Sequence, residues 1–489
     1  MIVENVKIHN RYSLEIKLGF TARKKIKVSE FAVNTWIFVP NSLDVNPSTY
    51  EKIDFYRDLK SNIRLITPVF LMRDITGKET SPLSMLETAF LKVSSSPTRS
   101  RITHYEHHIK MFLSIVKSSL RDETAHISKN MDFSDKIFLV NEYIENVNRI
   151  LNGYRELFRI INVPTVNTTT MNYYRFGDEF LSNITEQHTF KIIGSLQTEQ
   201  NEAFDPSIAN LFSLITNEIQ YRKEKGFLTI VKDAPDNNRE VVHRLNLLKK
   251  YAENVLFLST RKKRDGLIQE QFFLSLAAGI SMIFATTIAF SFQLKYGNFT
   301  MPFFVALVVS YMLKDRIKEL SRFYFAAKLG RRYFDHKTKM SLNNNEIGWS
   351  KEAMDYISES KVPPEVLRFR DRSAILEADN RNDDEKIILY RKLIQLNRLN
   401  LDKVSEYFST GINDIIRFNV SNFMNKMDNP EVPLFHLDNR NSYSVINGEK
   451  IYFLNLIMQF KNEDLVFYRR YRLVVNREGI KYIETFNLD

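Results

Sequence analysis

Two apolar runs separated by four residues decide what this chain can fold into. Phe272 to Leu294 carries no charged residue over 23 positions, Phe299 to Leu313 carries none over 15, and Lys295-Tyr296-Gly297-Asn298 lies between them. As a helix the first run spans roughly 35 Å, longer than a bilayer hydrocarbon core of about 30 Å. A buried core helix of a soluble protein seldom stays wholly apolar past about 14 residues. The break is a turn signal. The pattern therefore predicts a two-helix membrane hairpin with spans at about 272–294 and 299–313. The second span is short, and reaches the headgroups through a snorkelling Lys314, with Tyr296 and Tyr311 near the interfaces.

The formal net charge is +11, which invites a nucleic-acid reading, but its location points elsewhere. Residues 261–340 hold 14 Lys and Arg against 5 Asp and Glu, so nearly all of the excess flanks the hairpin. By the positive-inside rule both termini are cytoplasmic and the protein is a two-span cell-membrane protein. Arg261, Lys262, Lys263 and Arg264 before the hairpin, with Lys314, Arg316 and Lys318 after it, are the expected contacts to anionic lipid headgroups. The chain has no cysteine, which excludes disulfides, thiolate nucleophiles and cysteine zinc sites and fits a reducing compartment. The opening Met1-Ile2-Val3-Glu4-Asn5 lacks the basic and apolar regions of a signal peptide, so the hairpin itself is expected to direct insertion.

The fold class expected is α+β with a two-helix transmembrane hairpin. Residues 1–100 read as an N-terminal α+β region: alternation in Ile2–Ile8 and Tyr12–Leu18 across Asn10-Arg11 predicts a β-hairpin. Residues 101–235 read as a helical bundle, with helices at about 102–128, 134–162, 173–194 and 206–225. A further helix, capped by Asp236 or Asn237, is expected to run straight into the membrane. Val241, Leu245, Leu248, Ala252 and Val255 on it, and Leu313, Ile317, Leu320, Tyr324 and Ala327 beyond the hairpin, repeat every three to four residues. Residues 236–340 thus predict stalk helices that pair beneath the hairpin, the alternative being ordinary packing on the bundle. Residues 341–489 predict a C-terminal domain: a helix capped by Ser350, helices at about 385–397 and 400–423, then an antiparallel β meander opened by an Asn447-Gly448 turn.

Three stretches carry candidate chemistry. His104 and His108 share a helix face one turn apart, the spacing of paired metal ligands, although no glutamate stands where a zinc-protease helix has its base. Tyr468-Arg469-Arg470-Tyr471-Arg472 interleaves cations and aromatics on a strand. Alternation puts Tyr468, Arg470 and Arg472 on one face, able to meet a phosphate or nucleotide, unless that face is simply solvated. Asp379–Glu385 resembles a calcium loop only in composition, since Arg381 and Asp384 occupy positions that need an oxygen ligand and a glycine. No phosphate-binding glycine loop, nucleophile elbow or paired-carboxylate spacing is present, so no cofactor is expected and a non-enzyme is favoured.

Small residues recur along the apolar helices, Ala277, Ser281, Ala285 and Ala289 on the first and Ala306 and Ser310 on the second. Such stripes let helices approach closely, within one hairpin or between several chains of a homo-oligomer. The leading expectation is a non-enzymatic membrane protein whose cytoplasmic domains sense a protein, nucleotide or nucleic-acid partner and whose hairpins assemble to perturb the bilayer. In organisation alone this resembles the two-span effectors of bacterial antiviral systems. The alternatives are a membrane-tethered scaffold and a membrane-anchored metal-dependent hydrolase or nuclease using His104 and His108.

Overall fold

The computed structural model describes residues 2–22, 26–77, 80–199, 201–330, 334–342, 345–371, 385–404, 406–439, 442–463 and 465–486, with the backbone alone at 269, 325–330, 404 and 439. The chain forms two compact units. One combines Met1–Ile63, Leu258–Glu406 and Thr410–Asp489; the other is Arg64–Phe257 with Tyr407–Ser409.

The first unit is α+β with antiparallel sheets. Strands β1 (Ile2–Asn10) and β2 (Ser13–Thr21) form the expected hairpin, followed by β3 (Val28–Val39), helix α1 (Lys52–Asp58) and β4 (Leu59–Leu65). Past the helical unit come β5 (Ser259–Arg264), β6 (His336–Leu342), β7 (Asn345–Ile357), β8 (Lys386–Asn397) and β9 (Gly411–Asn419). The chain then forms a ribbon of β10 (Glu431–Asn439) and β11 (Ser442–Glu449), and ends in the meander β12 (Tyr452–Asn462), β13 (Leu465–Asn476) and β14 (Gly479–Phe486). A large sheet runs β14-β13-β12-β3-β8-β7-β6-β5 and a smaller one β1-β2-β9-β4.

This topology corrects the expected separation of residues 1–100 from 341–489. Strand β3 lies between β8 and β12, and β2 pairs with β9, so both ends of the chain build the same sheets. The helices expected after Ser350 and at 385–397 are strands β7 and β8. Ser350 is buried within the sheet rather than capping a helix, and Ile387-Ile388-Leu389 is a run without alternation because the central strand is covered on both faces. The expected 400–423 helix is a short turn of helix followed by β9. Asn447-Gly448 lies inside β11, opposite Pro433 and Val432, where the missing side chain leaves room for Leu434. Ile16, Leu18, Val33, Ile37, Leu456 and Met458 meet between the two sheets.

The second unit is helical: α2 (Pro82–Ser95), α3 (Arg99–Lys129), α4 (Phe133–Glu156), α5 (Phe158–Ile161), α6 (Thr168–Thr198), α7 (Asp205–Glu224) and α8 (Pro235–Glu253). Ser81, Asp132 and Asn167 accept hydrogen bonds from helix N-termini at 3.2, 3.0 and 2.8 Å. The boundary expected near residue 100 is corrected: α2 and α3 meet inside this unit, which begins at Arg64. The expected continuous stalk is also corrected. Pro235 rather than Asp236 or Asn237 opens α8, Val241, Leu248 and Ala252 are buried where α8 meets α3 and α6, and β5 interrupts the path to the apolar helices. The three-four repeat was therefore a bundle-facing stripe.

His188 lies buried in this unit, its Nδ1 3.4 Å from the Thr124 hydroxyl. Burial, with Lys191, Lys117 and Arg121 nearby, pushes its imidazole down to about 4. A depressed pKa gives stability that is complete above the unfolded value of about 6.5 and is lost as pH falls through the folded one. Thermal unfolding of the helical unit should weaken by up to about 3 kcal/mol between pH 6.5 and 4, and His188→Gln should flatten that dependence.

Candidate functional site: a helical hairpin rooted in a cationic sheet edge

The apolar helices arise from a break in a β-hairpin. Edge strand β5 pairs with β6 from Ser259↔Ser341 to Arg264↔His336, and between those strands the chain leaves the sheet as α9 (Leu267–Tyr296) and returns through α10 (Met301–Gly330). Gly266 at φ 72° starts α9 and Gly297 at φ 75° ends it, both in the left-handed region that glycine adopts without strain. By length and composition Glu270–Tyr296 is long and apolar enough to cross a membrane, and only 11% of its apolar window is buried. Among the described residues no second helix meets that measure, because Lys314, Asp315, Arg316 and Lys318 close the apolar part of α10. The helix nevertheless continues to Gly330.

The two helices pack against each other, and the residues they bury are Ala277, Ser281, Ala306 and Ser310. The stripe expected from the sequence thus serves packing within one hairpin, with Ala285 and Ala289 half-buried. Ser275, Gly279, Thr287 and Ser291 instead face outward on α9. The hydroxyls of Ser275, Thr287 and Ser291 donate to their own helix carbonyls at 2.8–2.9 Å, so this outward stripe leaves no donor unmet.

Beside the root, strand alternation sorts the basic run into two faces. Arg261 and Lys263 share the outer face with Lys337 and Lys339 of β6 and with Trp349 and Lys351 of β7. Lys337 and Lys351 stand 5.0 and 5.5 Å from the Trp349 ring centre. Lys339 pairs with Glu346 at 2.8 Å and Lys351 with Asp265 at 2.9 Å; Arg261, Lys263 and Lys337 have no acidic partner among the described residues. Five cations round one tryptophan make a surface suited to anionic headgroups. Composition alone shows these charges but not the platform, whose signal in the sequence is the alternation of His336-Lys337-Thr338-Lys339.

The other face carries Lys262 and Arg264. Arg264 pairs with Glu270 at 2.9 Å, and Lys262 lies 3.4 Å from Glu352. Glu352 belongs to a buried array between the sheets: Lys392, fully buried, binds Asp414, sits 3.4 Å from Glu352 and donates to Ser61 at 3.3 Å. Burial pushes the Glu352 carboxyl up, but Lys392 and Lys262 outweigh it and hold it below the usual range. On α10, Lys314 lies 3.9 Å from the Tyr311 ring centre, and Arg316 and Lys318 are exposed without an acidic partner among the described residues.

Tyr468, Arg470 and Arg472 do share a face, but helix α11 (Pro364–Arg370) covers it rather than solvent. Tyr468 donates to Glu365 at 2.7 Å, Arg472 pairs with Glu484 at 3.2 Å, and Arg470 is only 3% exposed. Its guanidinium lies 4.3 Å from the Phe486 ring centre and 3.7 Å from Asp371, leaving Nε and Nη2 without hydrogen-bond partners among the described residues. Burial, then Arg472 and Arg370, lower its pKa.

His104 and His108 are brought together in the helical unit, Nε2 to Nε2 at 3.1 Å, while His108 Nδ1 lies 2.8 Å from the Tyr407 hydroxyl. That orientation turns both Nε2 atoms toward one point, and Tyr407 fixes the His108 ring. The calcium-like stretch 379–384 falls outside the described residues, and Glu385 pairs with Arg370 at 2.9 Å. No protein-family model, no curated protein and no solved structure matches this chain.

Proposed function

We propose that the chain is a two-span integral membrane protein in which cytoplasmic units sense a partner and the α9–α10 hairpin acts on the bilayer. The observation that carries this reading is the apolar face of α9, on which Ile280, Met282, Ile283 and Phe290 stand exposed while Ala277 and Ser281 are buried. A soluble protein would leave that surface in water at great cost, whereas lipid removes it. The Trp349 platform beside the root supports the same orientation, since its cations would meet anionic headgroups at the cytoplasmic face, where both termini then lie. Trp349 itself is the side chain most at home at that depth.

Self-assembly is the proposed step from insertion to effect, as in a cell-damaging effector of antiviral defence. Two features favour it. The outward stripe of α9 offers close approach to a second hairpin. The isolated ribbon β10–β11, a marginal structure by itself, leaves Phe435, Leu437, Tyr443 and Val445 exposed on one face.

The test is membrane potential after controlled expression. Gly279→Leu is the informative variant, because nothing lies within 4 Å of a Cβ built there, so the hairpin itself has room for it. Depolarisation by the natural chain that is lost in Gly279→Leu, at equal amounts in the membrane fraction, is the expected result. An unaltered potential in both, with cross-linking showing monomers, would reduce the hairpin to a tether.

A further inference from the structure

The helical unit holds an open cavity of about 470 Å³ where α4, α5, α6, α7 and α8 converge. Small-molecule sites typically occupy about 300–1,000 Å³, so its size alone admits a ligand of metabolite dimensions. Its wall is built on buried ion pairs. Arg155 grips Glu218 through two hydrogen bonds of 2.9 and 2.7 Å and reaches Asp178 at 3.2 Å. Tyr221 donates its hydroxyl to the other oxygen of Asp178 at 2.6 Å, and the Arg155 guanidinium lies 3.6 Å from the Tyr221 ring centre. Across the cavity Arg244 holds Glu179 through both carboxylate oxygens and lies 5.3 Å from the Phe176 ring centre.

These acids satisfy Arg155 and Arg244, whose remaining role is to position aromatic rings. The other two cations differ. Arg175 and Lys225 line the same cavity, are exposed, and have no acidic partner among the described residues. Phe227, just past Gly226, adds a third ring to Phe176 and Tyr221. Burial raises both the Asp178 carboxyl and the Tyr221 hydroxyl, as befits a water-poor wall.

A bare anion would use the cations but not the rings, and an apolar ligand the rings but not the cations. The combination fits a planar heterocycle joined to a phosphate. We propose that this cavity binds a free nucleotide, with the base against Phe176, Tyr221 and Phe227 and the phosphate on Arg175 and Lys225. The inference supplies a ligand class for the sensing half of the proposed function and takes its biological meaning from it, yet binding does not require the hairpin to act on membranes.

The experiment is equilibrium binding to the full chain purified in detergent. Probes are the four common ribonucleotides as mono- and triphosphates and the 3′,5′-cyclic forms of AMP and GMP, with adenosine and inorganic phosphate alongside. At least one nucleotide should bind saturably, and Arg175→Ala with Lys225→Ala should weaken it tenfold or more. Arg159→Ala, an exposed cation outside the cavity, should leave affinity unchanged. Because Arg175 and Lys225 are exposed, the double variant should keep the wild-type melting temperature. Absence of saturable binding by every nucleotide, equal affinity for inorganic phosphate, or an unaffected double variant would overturn the assignment. Nucleotide binding with no depolarisation in cells would uphold it while refuting the membrane activity.

Discussion

Lys392→Met is expected to destabilise the α+β unit by about 3–5 kcal/mol, because it removes the buried cation between Asp414 and Glu352 and leaves Asp414 without that ion pair and Glu352 with Lys262 alone. Most of that cost comes from the uncompensated charges rather than from lost attraction. Replacing Lys392, Asp414 and Glu352 together by apolar residues of similar size should therefore recover much of the loss. The pH dependence separates this cause from a packing defect. In the natural chain Glu352 is held below the usual carboxylate range, so its contribution is complete above about pH 4.3 and is lost as pH falls through its folded pKa. In Lys392→Met that slope should reverse, with acid stabilising the variant by neutralising buried carboxylates that have lost Lys392. Melting temperatures between pH 7 and 4, measured on detergent-purified protein, give the sign directly; two parallel curves would remove the ion array from the account.

Ile280→Arg with Ile283→Arg should move the protein out of the membrane fraction. Both side chains are exposed on α9, at 47% and 67%, so neither arginine displaces a packed neighbour. In a bilayer each central arginine costs roughly 2.5–3.5 kcal/mol on insertion scales, and two of them exceed what a short second span can offset. In water the same change would merely improve solubility. Alkaline-carbonate extraction of membranes distinguishes the two: a variant that stays as firmly embedded as the natural chain would mean that α9 does not cross the bilayer.

What could be read from the sequence depended on whether a pattern was local. The apolar helices, the bundle helices and the β1–β2 hairpin were all visible, since each declares itself within a few turns or one alternation. The sheets were not. Nothing near Trp36 shows that it will face Leu389 on one side and Ile457 on the other, because pairing across several hundred residues leaves no short-range signature. Strand β8 reads as a helix for a related reason: at its start Ile387 and Ile388 are buried on opposite faces, so the apolar run there lacks the period of two by which strands are recognised. Among candidate sites, the His104–His108 pair was legible because one helix carries both. The cavity of the helical unit was invisible, as its lining comes from five helices and its ion pairs join residues such as Arg155 and Glu218 that only folding brings near. Asp178 and Glu179 looked like ordinary helix-surface acids until the bundle closed over them.

The pairing of β5 with β6 also constrains the helical hairpin that leaves the sheet between them. Strands in a ladder lie about 4.8 Å apart, and separating them breaks backbone hydrogen bonds that run the length of both. The start of α9, two residues past Arg264 at the end of β5, is therefore tied to a strand that cannot leave β6 without that cost. In the proposed assembly each chain therefore contributes its two helices as a pair, so the helices of any ring are even in number.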